Sequence, residues 1–118
     1  MKQEFKDRWV KSLREGKYKR RRYGLSDGNN GRCVMGAARS CAVDMGILKE
    51  EDLTGRDLLN NQELQAIGIS EDTQFLLSTM NDTYVATSKD KFPMRMINVI
   101  EALPTREKVP LLIDYTKE

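Results

Sequence analysis

Between Val34 and Met45 the chain places Val34, Ala38, Cys41 and Met45 at i, i+4, i+7 and i+11, the spacing of one face of an α-helix. Ala37 and Ala42 widen that face, and Gly36 on its flank has no side chain. Glycine costs a helix about 1 kcal/mol, so its presence points to a backbone that another element approaches closely. A helix with such small side chains belongs at the centre of a fold, covered on several sides. Gly46 suits the left-handed residue that ends it. Just before the stripe, Asp27-Gly28-Asn29-Asn30-Gly31 is an unbroken run of turn chemistry, in which glycine tolerates positive φ and Asp or Asn side chains bond their own backbone. Tyr23–Ser26 and Gly31–Val34 are expected to pair across it as a short β-hairpin.

The remaining apolar spacing predicts helices. Phe5, Trp9 and Leu13 fall at i, i+4 and i+8, giving an amphipathic helix over residues 3–15 that Gly16 closes. Asn60 or Asn61 can cap a short helix carrying Leu64 and Ile67, with Gly68 at its end. Ser70 or Asp72 can start the next one, whose apolar side reads as Phe75, Leu76 and Met80. A polar connection from Thr83 to Lys91 leads to Pro93, which suits a first helical turn. Phe92, Met96, Val99, Ile100 and Leu103 then form a stripe that Pro104 stops. The expected fold is mainly α, bordering on α+β: a compact single domain over residues 1–118, with about five helices and a short β-hairpin between the first two. Its core spans residues 3–103. Residues 105–118, which include Val109-Pro110-Leu111-Leu112-Ile113, are expected to pack back on the domain, the alternative being an exposed docking segment.

Charge is unevenly spread. Residues 1–32 hold eleven Lys and Arg against four acids, and the remainder nine against fourteen. The mean hydropathy of -0.61 and the absence of any apolar run near the roughly 18 residues of a membrane span fit a cytoplasmic protein with no membrane partner. The start, MKQEFKDRW, lacks the apolar stretch of a signal peptide.

The composition excludes several chemistries. There is no histidine, so Cys-His and Ser-His-Asp arrangements and mixed Cys/His zinc sites are ruled out. Two cysteines cannot complete an all-cysteine zinc site, and on one helix they stand roughly 12 Å apart, too far for a disulfide. Asp27, Asn29 and Gly31, like Asp82 and Asp90, lack the rest of a calcium loop. The glycines match neither a Walker loop nor a dinucleotide loop. No metal and no cofactor are expected. Cys33 near a helix N-terminus would have a lowered pKa, yet no base stands beside it, so it reads as a small buried residue.

The pattern Trp9, Leu13, Gly16, Tyr18, Gly24, Leu25, Asp27-Gly28 and Cys33-Val34-Met35-Gly36-Ala37 resembles a family of small uncharacterised proteins common in phage and bacterial genomes. Its members read tryptophan, leucine, glycine and tyrosine, then an Asp-Gly turn, then Cys-Cys-Leu-Gly-Val. Leu64 to Ile69, Met80-Asn81-Asp82 in place of Leu-Asn-Asp, and Phe92 to Glu101 extend the likeness over roughly residues 9–103. Arg32 replaces the first cysteine of the pair, and Arg39 stands where many members have a third. The resemblance implies a phage or prophage origin and carries no activity.

Two functional classes follow. The first is a non-enzymatic binding protein whose contact surface is the basic arm: Arg14, Lys17, Lys19, Arg20, Arg21 and Arg22 with Tyr18 and Tyr23. Cations neutralise phosphates and tyrosines stack on bases, so the partner is nucleic acid or a host protein. The same run also reads as a solvated or internally paired strand. The second is an enzyme or binder of a small anionic ligand, held where the Asp27–Gly31 loop meets a helix N-terminus. Asp27, Asn30, Arg32 and Cys33, with Asn81 and Asp82, would then line a deep pocket.

Overall fold

The computed structural model describes residues 1–83 and 91–105; the expected connection after Thr83, Asp90 and the expected packing of the tail after Thr105 lie outside them. The elements in chain order are α1 (Gln3–Glu15), β1 (Lys19–Arg20), β2 (Gly31–Arg32), α2 (Val34–Asp44), α3 (Asn61–Ile67), α4 (Glu71–Thr83) and α5 (Met94–Glu101). All five helices contribute buried residues to one core, so the fold is mainly α with a small β element.

α1 buries Phe5, Trp9 and Leu13, the stripe its spacing predicts, and ends at Gly16 with φ 70°. The Trp9 indole N–H donates to the Val34 carbonyl at 3.1 Å, fixing α1 to the first turn of α2 inside the core. α2 is covered as its small side chains require: Val34, Met35, Ala37, Ala38 and Ala42 are wholly buried. What approaches Gly36 is the loop before the helix. A Cβ there would lie 1.9 Å from the Leu25 carbonyl oxygen. Met45 caps α2, and Gly46 follows with φ 75°. α3 opens on a capping box, Asn60 taking the Glu63 N–H while the Glu63 carboxylate takes the Asn60 N–H. Ser70 caps α4 by accepting the Thr73 N–H at 3.1 Å. Pro93 sits at the N-cap of α5.

The expected hairpin is corrected. β1 and β2 pair in parallel, Lys19 opposite Gly31 and Arg20 opposite Arg32, and the contact across the turn reduces to one antiparallel bridge between Ser26 and Arg32. The cause lies in what competes for the backbone. The Lys19 N–H takes the Asn30 carbonyl and the Arg21 N–H takes that of Arg32, so β1 occupies the edge of β2. On the other arm, the Leu25 N–H is drawn to the Arg56 carbonyl and Ser26 also bridges Thr54.

The apolar side of α4 is also corrected. Gln74, Leu77 and Asn81 face inward and Met80 packs against the core as expected, whereas Phe75 is 72% and Leu76 48% exposed. The buried Gln74 amide serves both backbone groups of Leu59, accepting its N–H at 2.8 Å and donating to its carbonyl at 3.2 Å. Without such a partner those groups would be buried unpaired, at about 1–3 kcal/mol each. Satisfying them outweighs turning one more apolar side chain inward.

Candidate binding site

The far end of the same α4 stripe builds the site. Asn81 is fully buried, and its carbonyl oxygen accepts the Val34 N–H at 3.1 Å, satisfying one of the orphan donors at the start of α2. Its amide donates to the Arg21 carbonyl at 2.8 Å and to Asp82 Oδ1 at 3.1 Å. Asp82 Oδ1 in turn accepts the Tyr23 N–H at 2.9 Å. Asn81 and Asp82 thus grip the chain on both sides of Arg22. Tyr23, held there, adopts φ 60° and is the one non-glycine at positive φ among the described residues. Such a conformation costs on the order of 1 kcal/mol or more and persists where the surroundings impose it.

The result is an aromatic ring turned outward, with Tyr23 70% exposed. Across from it stand Phe75 on the outer face of α4 and Leu58, which is 50% exposed. Between these three lies a hollow of about 320 Å³, further lined by Gly24, Cys33, Asp57, Ser78, Thr79 and Asp82. The Ser78 hydroxyl has no hydrogen-bond partner among the described residues. Cys33 is 3% exposed and its sulfur accepts the Gly36 N–H at 3.3 Å. Burial pushes its thiol up from the ordinary value, overriding the helix N-terminal N–H groups, which corrects the expected lowering. Cys41 is likewise buried and raised, chiefly by burial, and both cysteines are free thiols.

Much of the basic arm is turned into its own chain. Arg14 pairs with Glu101, and Lys17 with Asp44 at 3.2 Å. Tyr18 is buried, with the Lys17 ammonium 5.5 Å and the Arg32 guanidinium 5.3 Å from its ring centroid. Arg20 is buried. Lys19 and Tyr23 are exposed, Arg21 and Arg22 half-buried.

The residues of the anion-site reading are split: Cys33 and Asp82 line the first hollow, with Asn81 bonded to Val34 beside them, while Asp27, Asn30 and Arg32 are not among its lining residues. Asp27 spends its carboxylate on the turn, accepting the Asn29 and Gly31 N–H groups at 2.8 and 3.0 Å, and these hold it below its ordinary pKa. Asn30 is exposed. The Arg32 guanidinium donates to Ser26, Ser40 and the Asn29 and Gly31 carbonyls, beside a second hollow that lacks Cys33, Asn81 and Asp82. At the start of α2 the Val34 and Gly36 N–H groups are already bonded, to Asn81 and Cys33. No group of three or more Cys, Asp or Glu that could hold a metal ion occurs among the described residues. No helix among them is long and apolar enough to cross a membrane.

One cluster escaped the sequence reading. Arg39 is 3% exposed and donates to Glu63 at 2.6 Å, to Glu51 at 2.8 Å and to the Lys49 carbonyl at 2.8 Å, while Arg56 reaches Glu63 at 2.5 Å. Burial alone would raise the Glu63 carboxyl; hydrogen bonds from Arg56, Arg39 and the Asn60 N–H overcome it and bring the pKa to about 2. The only signal available was an arginine on an otherwise small-residue helix, with two glutamates and a second arginine downstream. These charges hold α2, α3 and the segment between them together, and they leave the hollow to other residues.

In comparisons with protein-family models, curated proteins and solved structures, none matches this chain.

Proposed function

We propose that this is a non-enzymatic binding protein, of the phage or prophage origin that the resemblance implies, which holds a protein partner on the face formed by Tyr23, Leu58 and Phe75. The observation that carries the reading is two aromatic rings and a leucine left in water around one hollow, while polar Gln74 and Asn81 take the inward places on α4. Aromatic side chains dominate the energetics of protein contacts, and burying one on association removes about 150–250 Å² from water. The contact surface therefore moves from the whole basic arm to its end at Tyr23. Lys19, Arg21 and Arg22 stand close enough in the chain to serve a nucleic acid instead, so the test separates the two. An enzymatic role at the Asp27–Cys33 segment is disfavoured by a buried, protonated Cys33 and by loop polar groups already engaged in the turn.

The test is recovery of partners by the tagged protein from its source cells, with and without nuclease, for wild type, Phe75→Ala and the double variant Lys19→Ala/Arg22→Ala. The expected result is a nuclease-resistant protein kept by the arm variant and reduced at least about tenfold by Phe75→Ala, a loss of about 1.4 kcal/mol. Nuclease-sensitive association, recovery indifferent to Phe75→Ala, or recovery of no protein overturns the reading.

A further inference from the structure

Resting on that docking reading, we infer that the partner segment seated at the hollow is a large apolar side chain flanked by lysine or arginine. The hollow is small for a ligand site, at about 320 Å³, a size that suits one inserted side chain more than a whole helix face. Tyr23, Leu58 and Phe75 around it supply apolar contact, and Gly24 completes the loop side with the Arg21 guanidinium packed against it. The charged side chains that line it are of one sign, with the Arg21 guanidinium behind Gly24. Asp57, which is exposed, and Asp82 line it, and no lysine or arginine is among the described lining residues.

That asymmetry decides between occupants. Nucleic acid would bring phosphates against both carboxylates. A second copy meeting this face about a two-fold axis would set each patch against its own equivalent, carboxylates of one copy against those of the other. An apolar anchor next to a cation meets neither cost, and complementary charge selects it over an equally apolar acidic segment. Asp57 is the cleaner carboxylate to test. Asp82 also holds Tyr23 in place through the Tyr23 N–H, so its removal would disturb the apolar rim as well.

The experiment is selection of short random linear peptides, displayed as a library, against the immobilised full chain, followed by anisotropy measurements on synthetic versions. The expected peptides pair a Leu, Met, Phe or Trp with a Lys or Arg within about a helical turn, and their binding is lost in Phe75→Ala. Replacing the basic residue by Glu weakens them about tenfold or more; replacing it by Gln, or making Asp57→Asn, weakens them about two- to fivefold, the range of an exposed ion pair. Asp57→Lys reverses the order of the Lys and Glu peptides. Peptides that need Phe75 but show no excess of Lys or Arg, or no response to Asp57→Lys, overturn the charge inference and leave the docking reading standing. No enrichment, or enrichment indifferent to Phe75→Ala, overturns both.

Discussion

Replacing Asn81 by alanine removes the one side chain that joins α4, the start of α2 and the Arg21–Tyr23 segment. Its loss leaves the Val34 N–H without a partner at a fully buried residue, which costs about 2–3 kcal/mol. The Arg21 carbonyl also loses its donor, but Arg21 is half-buried and water can reach it in part, so about 1 kcal/mol is appropriate there. The vacated amide volume adds roughly another 1 kcal/mol of cavity cost. The sum is about 4–5 kcal/mol, a large share of the roughly 5–15 kcal/mol that stabilises a domain of this size. Urea denaturation followed by tryptophan fluorescence reports it directly, because Trp9 donates to the same first turn of α2. The exposed Asn61→Ala serves as control and should stay within about 0.5 kcal/mol of wild type. A loss below about 1 kcal/mol for Asn81→Ala would refute the claim that backbone satisfaction, and not the apolar count, sets how α4 is turned.

Three further outcomes follow from the same structure. Glu63 has a folded pKa of about 2 against an ordinary 4.5, so its stabilisation is fully present above about pH 4.5 and fades as pH falls toward 2; at about 1.36 kcal/mol per unit this is about 3 kcal/mol. The urea-stability gap between wild type and Glu63→Gln should therefore narrow over that range, and a gap independent of pH would contradict the assignment. Cys33 and Cys41 are buried thiols raised mainly by burial, so an aromatic disulfide reagent should label them only as fast as the native state opens; rapid labelling of folded protein would count against it. Gly36→Ala gains about 1 kcal/mol of helix propensity but drives a Cβ into the Leu25 carbonyl, so a net loss of about 1–3 kcal/mol is expected in thermal or urea unfolding; stabilisation would show that the loop yields freely.

The helices that announce themselves in the sequence are those whose buried face is apolar and whose ends are locally closed. Phe5, Trp9 and Leu13 with Gly16, or Asn60 with Glu63 and Gly68, need nothing beyond their own segment to be read. α4 obeys a different rule. Gln74 and Asn81 are inward because of backbone groups at Leu59, Val34 and Arg21, which are 15, 47 and 60 positions away. Counting apolar residues within the helix picks Phe75 and Leu76 along with Met80, and only Met80 of the three packs against the core. That same error hides the site, since the hollow exists only because Phe75 faces out and Tyr23 is pinned by Asp82. The strand pairing failed for a related reason: local turn chemistry argues for a hairpin, while the edge of β2 is claimed by Lys19 and Arg21 from before the turn. The arm looked like one continuous contact strip because charge is visible in sequence and its partners are not. Glu101 lies 87 positions from Arg14, and Asp44 lies 27 from Lys17.

The most direct check on the docking face is photo-crosslinking in source cells, with a benzophenone amino acid placed at position 75, 58 or 94. Met94 is 55% exposed on α5 and does not line the hollow, so it controls for exposure alone. The account predicts the same discrete protein adduct from positions 75 and 58 and none from position 94. Adducts of equal yield from all three positions, or adducts to nucleic acid at 75, would contradict it.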